Sequence, residues 1–305
     1  MKRWKKISGG DIQIFFAHIL VMGIMKRGNA AKYWSACDIT KLDFFGKYLS
    51  RNAYQMLLSN FHCAPNRNNP PKGAPGHDPL HKIRPIIDMC KRNFHLKYRP
   101  GKSLSFDEGC CGFRGRVKFL TYNKDKPQKW AIKLFEVADA ENGFICGFDV
   151  YCGKNETSCA NNANVLDREC TKTTRTVVGL LDSIQLLDKG HLVYLDNFYN
   201  SYALNLELFS RYTFVCGTLR KNRKGNPKAV VNAKLKKGEA VYRRNGNVLC
   251  LKWCEKKRSV TMMSTIHSAV YVDVKKRNGQ NTKVKKPLAV FDYTQRMGGL
   301  TKVIN

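Results

Sequence analysis

Leu192-Val193-Tyr194-Leu195-Asp196-Asn197-Phe198-Tyr199-Asn200-Ser201 is the stretch whose reading decides the fold. An apolar run with β-branched and aromatic members leads straight into an acid and a turn-forming Asn. This pattern predicts a buried strand that delivers a carboxylate at its C-terminal end, so Asp196 is a candidate site residue. Outward from it, Arg175 to Leu187 has helical apolar spacing through Val177, Val178, Leu180, Leu181, Ile184 and Leu187. Ser201 to Ser210 reads as a second helix and Thr213 to Gly217 as a further strand. Upstream, segments near 104–106, 117–122, 130–138 and 144–151 are short and rich in Phe, Val, Ile and Tyr. Turn residues such as Asn123-Lys124-Asp125 and Glu141-Asn142-Gly143 separate them, which predicts a three-stranded meander.

A second segment repeats the strand-then-acid pattern. Leu104-Ser105-Phe106-Asp107-Glu108 leads into the Gly-rich basic turn Gly112-Phe113-Arg114-Gly115-Arg116. Two such strands lying side by side would place Asp107 and Asp196 on one divalent cation, as metal-assisted phosphoryl transfer requires. Read alone, each Asp also fits the plainer role of ending a strand. Arg114 and Arg116 follow the first acid, and Arg220, Lys221, Arg223 and Lys224 follow the strand after the second. With both turns at one sheet edge they would form a basic rim for backbone phosphates, sequence-independent and salt-sensitive. Solvated surface charge is the alternative for any one of them. Asn197 suits a strand-end turn as well as it suits a phosphate or a metal-bound water.

Several ordered motifs carry a resemblance. Ser105-Phe106-Asp107-Glu108 with Gly112 to Arg116 and Lys126-Pro127-Gln128-Lys129-Trp130-Ala131-Ile132-Lys133 resembles the first catalytic block of the piggyBac transposase family. Tyr194 to Tyr199 with Cys216-Gly217-Thr218-Leu219-Arg220-Lys221-Asn222-Arg223-Lys224-Gly225 resembles the second. Lys82-Ile83-Arg84-Pro85, Leu251-Lys252-Trp253 and Ser264-Thr265-Ile266-His267 extend the similarity over nearly the whole chain. The resemblance implies an α+β fold, with a ribonuclease H-like mixed-sheet core preceded by a helical region and carrying a β-rich insertion. It further implies Mg²⁺- or Mn²⁺-dependent hydrolysis and transesterification of DNA, with Asp107 and Asp196 as catalytic metal ligands, and a nuclear location.

One element of the family pattern is missing. The third catalytic Asp follows a paired glycine in the family, and the matching stretch here is Tyr293-Thr294-Gln295-Arg296-Met297-Gly298-Gly299-Leu300-Thr301. Thr301 holds the acid position, and Ile304 holds that of a further acid. Two Mg²⁺ ions about 4 Å apart need several anionic oxygens, which a hydroxyl does not replace. Strand cleavage is therefore expected to be absent or severely weakened. Asp292 would rescue it only along a different backbone path. The chain also stops at Asn305, before the family's remaining catalytic helices and its cysteine-rich zinc module, and it shows no acidic N-terminal region.

Composition agrees with a polyanionic partner. Lys and Arg number 54 against 23 acids, a net +31, which points first to nucleic acid, with a heparin-like or membrane surface as the other options. The 12 Cys are scattered without a CxxC pair, so free thiols in a reducing compartment are expected and no zinc site. Cys110-Cys111 read as buried. Met1 to Lys6 followed by the apolar run Ile12 to Met25 imitates a secretory signal, but Gln13 and His18 interrupt it and it is short for a membrane span. A buried helix with Asp11 near its N-cap is expected instead, followed by a second helix after Ser50 through Tyr54, Leu57, Leu58 and Phe61. Five prolines between 65 and 79 mark a loop, and Ile83 to Leu96 resumes helical spacing.

Four regions follow: a helical region of the dimerisation or DNA-binding type over 1–102, the core over 103–228, a β-rich insertion over 229–290 with a hairpin at Asn245-Gly246-Asn247, and the start of the third-acid segment over 291–305. DNA is the expected partner, a homodimer is compatible, and a membrane is not expected. Two rival functions stay open: an active Mg²⁺-dependent transposase or nuclease with a substitute acid, and a non-catalytic remnant that binds other proteins. Trp130 and Trp253 are expected in strands, packed in the core or stacking bases. His267 is expected on an insertion strand in a structural role.

Overall fold

The computed structural model describes residues 6–124, 126, 128–153, 170–256, 258–275 and 283–298. Thr301 and Ile304 lie outside them. The chain forms two compact units, Met1–Pro85 and Ile86–Asn305.

In the first unit α1 spans Gly9–Ile24, α2 Asp43–Tyr48 and α3 Arg51–Asn60. The cap of α1 is Ser8. Asp11 completes a capping box, donating its backbone N–H to Ser8 Oγ at 3.2 Å and accepting the Ser8 N–H at 2.8 Å. Ser50 caps α3, at the position the sequence predicts. Phe15, Tyr54 and Leu57 form the core of this unit, with Trp34 against it. His18 is wholly buried, yet its two ring nitrogens meet the Ile14 and Phe45 carbonyls at 2.8 and 3.2 Å. It is a core histidine with a carbonyl on either side, to one of which its ring N–H donates. Among the described residues no helix is long and apolar enough to cross a membrane.

The second unit is built on one large mixed sheet. Its strands are β1 Ser103–Gly112, β2 Leu120–Tyr122, β3 Trp130–Asp139, β4 Ile145–Val150, β5 Leu192–Leu195 and β6 Phe214–Thr218, then β7 Ala240–Asn245, β8 Val248–Cys254 and β9 Ser259–Ser264. The helices are α4 Arg84–Lys97, α5 Lys172–Ser183, α6 Tyr202–Ser210, α7 Lys228–Val231 and α8 Leu288–Arg296. β4, β3 and β1 run antiparallel, and β1, β5 and β6 run parallel. Meander, crossover helix, strand, helix and strand is the ribonuclease H-like order, so the α+β fold expected from sequence is the fold observed. A turn at Gly246-Asn247, with Gly246 at φ +53°, joins β7 to β8 as the hairpin signal predicts.

The strands of the 240–264 segment continue the core sheet. β9 pairs antiparallel with β6, matching Gly217 to Met263, and β8 and β7 follow outward. β10 Tyr271–Lys275 and β11 Lys283–Pro287 pair separately with each other.

Strand alternation then divides the core. One face of the sheet packs Leu104, Phe106, Val137, Val193, Leu195 and Val215 against residues of α5 and α6. The other packs Tyr194, Cys216, Leu251, Trp253 and Met262 against Ala289 and Val290 of α8.

Three expectations about single residues need correction. Cys110 and Cys111 are exposed, because the last residues of β1 run out beyond the helical layers. His267 lies just past β9 rather than on a strand: the Ser264 side chain gathers the Ile266 and His267 N–H groups into a turn that ends the ladder. The two tryptophans part company, Trp253 being a core residue while Trp130 is about half exposed beside Tyr122.

Candidate metal and nucleic-acid site

Parallel pairing of β1 with β5 brings the two strand-then-acid motifs together. Phe106 is opposite Leu195, so the next residues, Asp107 and Asp196, emerge side by side. By alternation both side chains leave on the α8 face, with Tyr194 and Cys216. Asp107 Oδ1 accepts the Glu108 N–H at 2.8 Å. Asp196 Oδ1 accepts the N–H groups of Phe198 at 2.7 Å and Tyr199 at 3.3 Å, so this carboxylate shapes the turn that displays it.

A buried amide network fastens that turn. Asn200 is fully buried and donates from Nδ2 to the Gly217 and Thr218 carbonyls at 2.8 and 3.1 Å. Its Oδ1 accepts Asn205 Nδ2 at 2.6 Å. Gly217 permits the approach, since a Cβ there would lie 2.4 Å from the Leu195 carbonyl oxygen and 2.9 Å from Asn200 Nδ2. On the opposite face Glu108 ties the motifs together. It accepts the Tyr199 hydroxyl at 2.7 Å and pairs with Lys133 at 2.5 Å.

Burial pushes both aspartate carboxyls up from the ordinary carboxylate range. At Asp107 the charge of Asp196 adds to this, and at Asp196 the charge of Glu108 does. A carboxyl held high in the folded chain binds its proton more tightly there than in the unfolded chain. The stability this contributes is present below the ordinary pKa and lost as pH rises through the raised one. Near neutral pH the ionised pair therefore works against folding. Asp107→Asn is expected to stabilise the metal-free protein by about 1 kcal/mol in urea unfolding, a gain that shrinks toward acid pH. An equal or lower midpoint near neutrality would refute this.

The structure divides the basic residues. Arg220 donates from Nε to Asn197 Oδ1 at 3.0 Å and lies 5.0 Å from the Phe198 ring centre, while Arg223 donates to the Phe198 carbonyl. Asn197 is thus a turn partner of Arg220, and these two arginines brace the Asp196 turn while Lys221 and Lys224 stand exposed beside it. Arg114 and Arg116 are exposed as well, but β1 continues five residues beyond Asp107, a run of about 17 Å. Lys126 is a cation that strand patterns do not single out, and its charge acts directly on Asp107.

α8 closes the same face. The Tyr293 hydroxyl lies 3.4 Å from Thr218 Oγ1, and burial pushes its pKa up to about 12, with Asp196 and Asp107 adding to the rise. Tyr293 opens the stretch that ends at Thr301, so that stretch starts beside the acids. Asp292, the substitute considered from sequence, is engaged elsewhere: its Oδ2 lies 3.0 Å from His267 Nε2, whose Nδ1 meets Ser264 Oγ at 2.8 Å.

Among the described residues no three His, Cys, Asp or Glu side chains are placed to hold a metal ion. The adjacent aspartates still fit one Mg²⁺ or Mn²⁺. Both supply hard oxygen donors, and Mg²⁺ is commonly held by one or two carboxylates with water and substrate phosphate filling the other positions.

Comparison with known proteins bears on the family and the fold. A family model described as Transposase IS4 matches residues 1–304. A structure described as the cryo-EM structure of piggyBac transposase synaptic complex with hairpin DNA is similar at a TM-score of 0.80 and 20% identity. The similarity covers 99% of this chain and 61% of that one, so this chain spans about three fifths of its length. Since the family model runs almost end to end along the sequence, the chain belongs to the Transposase IS4 family.

Proposed function

We propose that this chain is a piggyBac transposable element-derived, transposase-like DNA-binding protein of the nucleus whose metal-dependent strand cleavage is impaired. The observation that carries the proposal is the Asp107–Asp196 pair, one within β1 and the other just past the parallel strand β5, beside a basic loop, in a chain whose third acid position is Thr301. In this reading Asp107 and Asp196 hold Mg²⁺ or Mn²⁺, which when bound neutralises phosphate charge. Lys221 and Lys224 contact the backbone, and Arg220 both braces the Asp196 turn and faces the phosphates. Arg114 and Arg116 make a second, more distant contact on the same strand end.

DNA affinity is measured by anisotropy across a salt series for the native chain and for a variant with Lys221 and Lys224 changed to Gln. The native chain is expected to bind duplex DNA at low salt and to weaken steeply as salt rises. Each phosphate contact removed lowers the slope of log K against log salt by about 0.9. Absence of binding at low salt, or an unchanged slope in the variant, would sink the proposal in favour of a protein-binding remnant.

A further inference from the structure

A second concave site lies at the opposite end of the strands from the aspartates. β1 and β5 start in register, Ser103 beside Leu192. The residues that lead into both strands line a cavity of about 580 Å³, together with the end of α4 and the loop after α5. That volume is in the range of small-ligand pockets. His191 precedes Asp196 by five residues, a run of about 17 Å along the strand, so a group held here is not one held by the aspartates.

The lining carries one sign of charge. His95 comes from the last turn of α4, Arg99 from the segment leading into β1, and Lys189 and His191 from the segment leading into β5. No aspartate or glutamate lines the cavity, and among the described residues neither Arg99 nor Lys189 takes part in an ion pair. The basic groups also act on one another. His191 is only 9% exposed, and burial, joined by the charge of Lys189, lowers its pKa against the pull of the Gly101 and Lys102 carbonyls and of Asp139. Asp139 is engaged behind the wall, where it accepts the Tyr98 hydroxyl at 2.9 Å and the Gly101 N–H at 2.8 Å. A cleft lined by one sign of charge focuses its field on a counter-ion of the other sign.

The loop that presents Lys189 is fixed before any ligand arrives. Gln185 and Asp188 have φ of +54° and +61°, left-handed values uncommon outside glycine. Backbone bonds hold the loop in that path. Asp188 donates its N–H to the Arg211 carbonyl and Gly190 to the Tyr212 carbonyl, both at 3.0 Å, and Leu192 donates to the Lys102 carbonyl at 2.8 Å.

We infer that this cavity is a phosphate-binding site, in which the Arg99 guanidinium and the Lys189 ammonium grip the anion and His95 and His191 stand at its wall. The planar donor fork of arginine matches two phosphate oxygens, and lysine adds a point charge. A backbone phosphate of nucleic acid and the free ion share this chemistry. The site is independent of the Asp107–Asp196 pair and of the proposed metal.

The test uses the full chain, isotope-labelled at histidine, titrated at constant ionic strength with inorganic phosphate and separately with a short DNA duplex. The ring signals of His95 and His191 are followed by NMR. Saturable shifts of both are expected. Arg99→Gln/Lys189→Gln is expected to weaken the binding at least about tenfold, since it removes two charge-assisted contacts, and to keep the native thermal midpoint because both side chains are exposed. Saturation by inorganic phosphate assigns the site to the free ion. Saturation by the duplex alone, persisting when Lys221 and Lys224 are changed to Gln, assigns it to a nucleic-acid backbone. The inference is overturned if neither probe gives a saturable shift, if the double variant binds like the native chain, or if the shift comes from the duplex alone and vanishes with Lys221 and Lys224.

Discussion

Supercoiled plasmid incubated with the native chain in Mg²⁺ is expected to stay at background nicking, and Thr301→Asp is expected to raise the rate at least a hundredfold. The expectation follows from charge. Phosphoryl transfer by two cations about 4 Å apart concentrates positive charge on attacking and leaving oxygens, and carboxylates must hold those cations in place. A threonine hydroxyl supplies a weak neutral donor instead. Even changes outside the first coordination sphere commonly cost about 10–100-fold in metal affinity or activity, so a missing ligand costs at least the upper end. Asp is no bulkier than Thr, and α8 upstream is anchored by the His267–Asp292 and Thr218–Tyr293 contacts. A time course of nicked product, with Thr301→Asp/Asp107→Ala as the control, measures the effect. Nicking by the native chain that disappears in Asp107→Ala would show that cleavage survives without an acid at 301. Failure of Thr301→Asp to nick would place the defect elsewhere.

Asn200→Asp is the substitution expected to damage the fold most. It alters one atom in shape but removes the amide that donates to the Gly217 and Thr218 carbonyls. A carboxylate there would face two carbonyl oxygens in a fully buried position, with Asp196 four residues away on the same turn. Only Asn205 Nδ2, already bonded to Asn200 Oδ1, remains to meet it. An uncompensated buried charge of this kind costs roughly 3–5 kcal/mol, a large part of the 5–15 kcal/mol that folds a typical domain. Asn200→Ala should cost less, about 1–3 kcal/mol, because it removes hydrogen bonds without adding charge. Urea unfolding separates the two, and equal midpoints for Asn200→Asp and the native chain would contradict the role given to this amide.

Much of the site was legible because its logic is local. An apolar run ending in an acid needs only its own residues to announce a strand that displays a carboxylate, and Asp196 directly follows β5 as that pattern puts it, whereas Asp107 lies midway along β1, which runs on to Gly112. The parallel pairing that makes them neighbours is not local, and the family resemblance supplied it. Leu134-Phe135-Glu136-Val137-Ala138 reads as a buried strand with one acid in it, and only the register with β1 places that acid opposite Asp107. The arginines show the opposite difficulty. Arg220 and Arg223 read as phosphate contacts of a basic rim, while their hydrogen bonds run to the Asp196 turn, and no spacing rule distinguishes a brace from a phosphate contact. For the 240–264 segment the hairpin was readable from its turn, whereas joining the edge of β6 depends on partners 40 residues and more away.

The anchoring of α8 has an evolutionary consequence. Ala289 and Val290 sit in the core, Asp292 meets His267, and Tyr293 meets Thr218, all before the chain reaches Thr301. The contacts that hold α8 are thus open to selection separately from the side chain at position 301, so a descendant that keeps all of them can carry an acid or a hydroxyl there.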